Sequence, residues 1–232
     1  MQLSLFQSAH TPSIEHDEPA LLKVRSLVLK QIPEAALPII LEWFRTHQVI
    51  LLVTWGRKTK SGDFRPPKNG TLPIISVNKT LNEFAFLITL IHEMAHFHVF
   101  EKYCKPVFLK RRRKVQPHGK EWKEEFRRLM DPFLTPEIFP EKILEVLTLH
   151  MENPRASTYS DPHLARVLLG FDDDNVLGIL IEELADGDQF ETPSGMLFRK
   201  EGKLRKRYRC IRLTDRKIYL FSPLARVFPV II

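Results

Sequence analysis

The sequence predicts an α+β fold in two parts: helices packed on a small sheet of about three strands, followed by a small antiparallel β unit. Two observations predict it. The apolar pattern changes to a helical period from Leu81 onward, directly after two short strand-like runs. Beyond Asn153-Pro154 the composition changes, and strand-like pieces recur every eight to ten residues with Gly, Asp and Pro between them. The boundary is therefore placed to give parts 1–154 and 155–232.

Each element has a local reason. Leu21 to Thr46 reads as one or two helices, with breaks marked by Pro33 and Pro38. Val49–Val53 is a β-branched run suited to a buried strand, and Leu72–Val77 reads as another. Ser61-Gly62-Asp63 and Lys68-Asn69-Gly70 are turn signals between them. Thr80-Leu81-Asn82-Glu83 has the form of a capping box, opening a long helix from Leu81 to Lys102. Glu121 to Met130 is amphipathic, with Trp122, Phe126 and Leu129 on one stripe. Pro140 opens a further helix through Ile143, Leu144 and Leu147, and Asp161-Pro162 opens a short one ending at Leu169. The strand-like pieces of the second part are Val176–Glu182, Gln189–Thr192, Met196–Lys200, Arg207–Leu213, Lys217–Phe221 and Arg226–Ile231.

Composition narrows the class. The 232 residues are 44% hydrophobic and 27% charged, ordinary for a folded chain and too apolar for disorder. No apolar run reaches the roughly 18–20 residues of a membrane span, since Ala35 to Val53 is interrupted by Glu42, Arg45 and His47. The first residues lack the basic stretch and apolar core of a secretory signal. Cys104 and Cys210 make neither a disulfide framework nor a C-x-x-C pair. A reduced, cytoplasmic setting without membrane attachment is expected.

Net charge is +7, in blocks. Lys102 to Arg128 is strongly basic and includes the run Lys110, Arg111, Arg112, Arg113, Lys114. Val167 to Phe198 has no Lys or Arg while acidic residues accumulate from Asp172 to Glu191. Arg199 to Lys217 turns basic again, and Arg205, Arg207 and Arg209 would share one face of a strand. Such blocks permit an acidic partner, DNA included, and equally suit solvated surfaces.

Chemistry enters at His92-Glu93-Met94-Ala95-His96, an H-E-x-x-H sequence. Four residues apart on a helix, the two imidazoles share a face and reach one metal ion, with Glu93 beside them as a base. Zinc takes such nitrogen ligands and in catalytic sites leaves one position for water. A third ligand is required. The metzincin spacing fails, because Val99 and Lys102 stand where Gly and His are needed. Glu121, Glu124 and Glu125 on the next helix are candidates, and so is His118 at its start. His118 is preferred because it heads the buried stripe, four residues before Trp122 and eight before Phe126. His98 projects away from the pair, and His10, His16, His47, His150 and His163 read as ordinary side chains.

The motif, followed by a basic linker and His118-Gly119, resembles the SprT-like (Spartan-related) family of zinc metalloproteases. The segment Gly56 to Leu81, ending in Ile-x-Val-Asn before the motif helix, is similar as well, and the resemblance spans roughly Leu21 to Met151. It implies a zincin-like core in which His92, His96 and His118 hold one zinc ion and Glu93 is the catalytic base. It also implies protein substrates, including proteins bound to or crosslinked with DNA. Family members of this kind often end in a four-cysteine zinc ribbon. Here Tyr208-Arg209-Cys210 and Tyr219-Leu220-Phe221-Ser222-Pro223 stand at the expected cysteine pairs and only Cys210 remains. The tail then reads as a degenerate ribbon, packed by apolar side chains, like that of bacterial members.

Two function classes follow. One is a zinc endopeptidase. The other is a DNA-binding module with a structural zinc, gripping phosphates through Lys110–Lys114. A metal-dependent nuclease is disfavoured, because magnesium chemistry recruits carboxylate-rich sites and the acidic cluster Asp172–Asp174 is far from the motif.

Overall fold

A computed structural model describes residues 18–55, 60–104, 115–157, 160–172 and 178–230. The class is α+β, with six α-helices, a mixed three-stranded sheet and a separate antiparallel sheet among the described residues. The chain divides into two compact units, residues 1–158 and 159–232. No helix among the described residues is long and apolar enough to cross a membrane. The basic run Lys110–Lys114, Asp173 and Asp174 lie outside the described residues.

The first unit opens with α1 (Glu18–Val28) and α2 (Leu37–Thr46). Pro38 sits in the first turn of α2, where its missing N–H costs nothing, so it starts that helix. The sheet has β1 (Ile50–Thr54), β2 (Gly62–Arg65) and β3 (Ile74–Asn78) in the order β1-β3-β2. β3 pairs parallel with β1 and antiparallel with β2, so that among the described residues one edge of β2 has no strand beside it. Gly62 and Asp63 thus belong to a strand, not to a turn, while Asn69 and Gly70 do turn the chain with positive φ.

α3 (Glu83–Val99) is apolar almost all round, as a helix at the centre of a core must be, and a π-helical turn (Phe100–Cys104) continues it. Its start differs from the capping box expected at Thr80. Asn82 is the N-cap, its side chain accepting the Ala85 N–H at 2.9 Å, while the Thr80 N–H is taken by Asn78 Oδ1 at 3.3 Å. Asn caps as well as Thr, and the Asn78 hook pulls Thr80 into the preceding turn. α4 (Lys120–Met130) packs along α3 and buries Trp122, Phe126, Leu129 and Met130. α5 (Glu141–Glu152) closes the unit, tied to α4 by Arg127, which donates to Met151 O at 2.8 Å and Glu152 O at 2.9 Å.

The second unit begins with α6 (Pro162–Leu169), capped by Asp161 as its sequence predicts. A six-stranded sheet follows: β4 (Ile179–Leu180), β5 (Gln189–Glu191), β6 (Leu197–Lys203), β7 (Tyr208–Arg212), β8 (Ile218–Phe221) and β9 (Arg226–Pro229), in the order β4-β9-β5-β6-β7-β8. Its core is Ile181, Leu184, Phe190, Phe198, Tyr208, Cys210 and Val227. The basic face expected from Arg205, Arg207 and Arg209 does not form on one strand. Leu204 N–H closes a turn on Arg207 O at 2.7 Å, β7 starts only at Tyr208, and of the three only Arg209 lies on it.

Candidate metal centre

α3 carries His92 and His96 one turn apart, and both imidazoles face α4. The third ring comes from His118, which is not on the helix. It lies two residues before α4 with a φ of 57°, a left-handed backbone uncommon outside glycine. Gly119 then enters α4 in a turn closed by its N–H on Gln116 O at 2.9 Å. This twisted turn, not helical periodicity, brings the imidazole to the pair. Backbone held in so sparse a region marks a place where position matters.

The three rings meet through their Nε2 atoms: 3.2 Å between His92 and His96, 3.1 Å between His92 and His118, and 3.0 Å between His96 and His118. A tetrahedral ion with bonds of roughly 2.0–2.1 Å would set its ligand atoms about 3.3–3.4 Å apart. The observed triangle is close to one face of that tetrahedron. Burial lowers the pKa of all three rings, that of His96 to about 4 with further repulsion from His118, and His92 well below its ordinary value. Neutral imidazole is the ligating form. With protons on Nδ1, three lone pairs converge on one point, an arrangement that a cation satisfies. The group is fit to hold a metal ion.

Glu93, buried, follows the first ligand. Burial first, then the neighbouring Asp63 carboxylate, push its pKa up to about 8, against the opposing pull of the Phe64 backbone amide and Lys60. An acid so placed holds or releases a proton near neutrality.

Trp122 was legible only as part of a core stripe, yet it is the wall of the site. Its ring centroid lies 4.6 Å from that of His92, 4.7 Å from His118 and 5.6 Å from His96, and its Nε1 donates to His92 O at 3.4 Å. The other candidates are engaged elsewhere. Glu125 accepts from Arg128 at 2.8 Å and from Lys102 at 3.3 Å, and Glu124 pairs with Lys120 at 3.8 Å. His98 turns to α2, where its Nε2 accepts Trp43 Nε1–H at 2.9 Å. His47 stacks on the same tryptophan at 4.5 Å. His10 and His16 lie outside the described residues.

Known proteins do not decide the matter. No family model, no curated protein and no solved structure matches the chain.

Proposed function

We propose that the chain is a zinc-dependent metallopeptidase of the SprT-like kind, with a zincin-like first unit and a ribbon-like second unit that has lost its metal-binding cysteines. One observation carries the reading: three convergent imidazoles with a buried carboxyl on the residue after the first. Held by His92, His96 and His118, zinc would supply Lewis acidity, polarising a substrate carbonyl and lowering the pKa of water. Glu93 takes the proton of that water on a carboxylate oxygen and delivers it to the leaving amine. Its raised pKa favours keeping the proton, and a cation held by the neighbouring trio would favour the carboxylate. Trp122 seals the rings from behind. The edge of β2 away from β3, where the Phe64 amide meets Glu93, offers its remaining backbone groups to an extended peptide.

The alternative is a DNA-binding module with structural zinc. Structural sites are closed by four protein ligands. Three side chains converge among the described residues, and Glu93 would have no task in a closed site. Both points favour catalysis. The net charge of +7 is compatible with protein substrates held on DNA.

The test is Glu93→Gln in the full chain, assayed on an unfolded protein substrate with metal content measured alongside. Loss of about 10²–10⁴-fold in cleavage with zinc retained is expected. A variant as active as the parent overturns the mechanism. Affinity for single- and double-stranded DNA at increasing salt tests the DNA component, which is removed if none is measurable at low salt.

A further inference from the structure

β2 crosses the turn of α3 that carries Glu93, and Gly62 is the residue at the crossing. An ideal Cβ built on Gly62 would stand 2.6 Å from Glu93 Oε1, 2.9 Å from Glu93 Cγ and 2.7 Å from Thr89 Cγ2. Non-bonded carbon contacts settle at roughly 3.5–4.0 Å, so there is no room for a methyl group. Backbone freedom does not explain the glycine. Its φ lies outside the left-handed region, and it pairs with Val77 as an ordinary antiparallel residue. What the position requires is the absence of a side chain.

The two walls of this gap differ. Thr89 Oγ1 donates to Ala85 O at 2.7 Å, which locks the Thr89 rotamer and holds its methyl toward the strand. Glu93 reaches the gap with the far end of a flexible side chain. Of the two, the carboxyl is the wall that yields.

We propose that Gly62 is a positioning residue for Glu93: its missing side chain is the slot in which the Glu93 carboxyl is held against the edge strand. The role rests on the peptidase reading above and adds to it a second-strand requirement that the H-E-x-x-H motif does not contain. Any side chain at position 62 displaces the carboxyl while the three imidazoles stay in place.

The experiment compares Gly62→Ala, Glu93→Ala, their double variant, and Gly62→Ala combined with Thr89→Ser, all in the full chain. Metal content, thermal midpoint and, for the two variants that retain Glu93, kcat and KM are measured. Gly62→Ala is expected to keep its metal and lose at least about tenfold in kcat with KM little changed, while its midpoint falls by about 5 °C. In the Glu93→Ala background the same substitution should cost clearly less than that shift, because only the Thr89 methyl then stands against the new side chain. Thr89→Ser removes the methyl wall and should recover part of the midpoint without recovering kcat. The inference is overturned if Gly62→Ala turns over like the parent, if Thr89→Ser restores kcat along with stability, or if the midpoint shift is equal in both Glu93 backgrounds. Should Gly62→Ala alone fail to fold, folding of the double variant supports the slot and its failure overturns it. A parent that binds no metal or cleaves nothing overturns the peptidase reading instead, and the midpoint coupling between positions 62 and 93 still decides the slot.

Discussion

Both units bury ionisable side chains, and they do so in opposite ways. In the second unit Lys200 is buried in the β6 strand, yet its ammonium is fully engaged. It donates to Leu184 O, lies 3.5 Å from Asp186 and sits 4.2 Å above the Tyr208 ring. Every demand of the buried charge is met inside the chain. In the first unit His92, His96 and His118 turn their Nε2 atoms on one another, three like groups at 3.0–3.2 Å. A buried polar group that finds its complement in the fold is holding the fold together. Like groups aimed at one point are waiting for something from outside.

The comparison can be broken by removing what the trio would bind. All three tryptophans, Trp43, Trp55 and Trp122, belong to the first unit, so their emission reports that unit alone. A chelator should lower the temperature at which this signal melts, by the stability linked to binding: about 2.7 kcal/mol if free zinc stands at a hundred times its Kd. Trp122→Ala should be larger still. Loss of a fully buried tryptophan costs about 3–5 kcal/mol, and the metal should go with it as the wall behind the rings collapses. Lys200→Met tests the other side. It keeps the apolar stem and leaves Leu184 O without its buried donor, at about 1–3 kcal/mol by denaturant unfolding, with metal content and cleavage unchanged. Asn82→Ala is the smallest change expected, about 1 kcal/mol for the lost cap of α3. If Lys200→Met altered the metal, the separation of roles would be wrong.

How much of this was legible depended on the kind of signal. The strands β1 and β3 are legible from apolar runs set off by turn residues, and the spacing of His92 and His96 from the four-residue helical turn, whereas β2 is not, because Gly62 and Asp63 read as a turn. The apolar stripe of α4 points to His118 at the start of the helix, whereas a left-handed turn delivers it, and no residue pattern announces a histidine with φ of 57°. Thr80 and Asn82 are both good caps two residues apart, and only the Asn78 hydrogen bond decides between them. Gly62 looked like turn punctuation beside Asp63. Its reason lies across space in Glu93, thirty-one positions along the chain, and local composition carries no trace of that. Trp122 was legible as core, because the same hydrophobic stripe serves equally to pack a helix and to back a ring cluster.

The most direct measurement is elemental analysis of the purified full chain beside His118→Ala, with tryptophan emission confirming that both are folded. One zinc per chain in the parent, absent from the variant, is the expected result. A folded parent carrying no metal after exposure to zinc, or a variant that keeps its ion, would contradict the claim that these three imidazoles form a cation site.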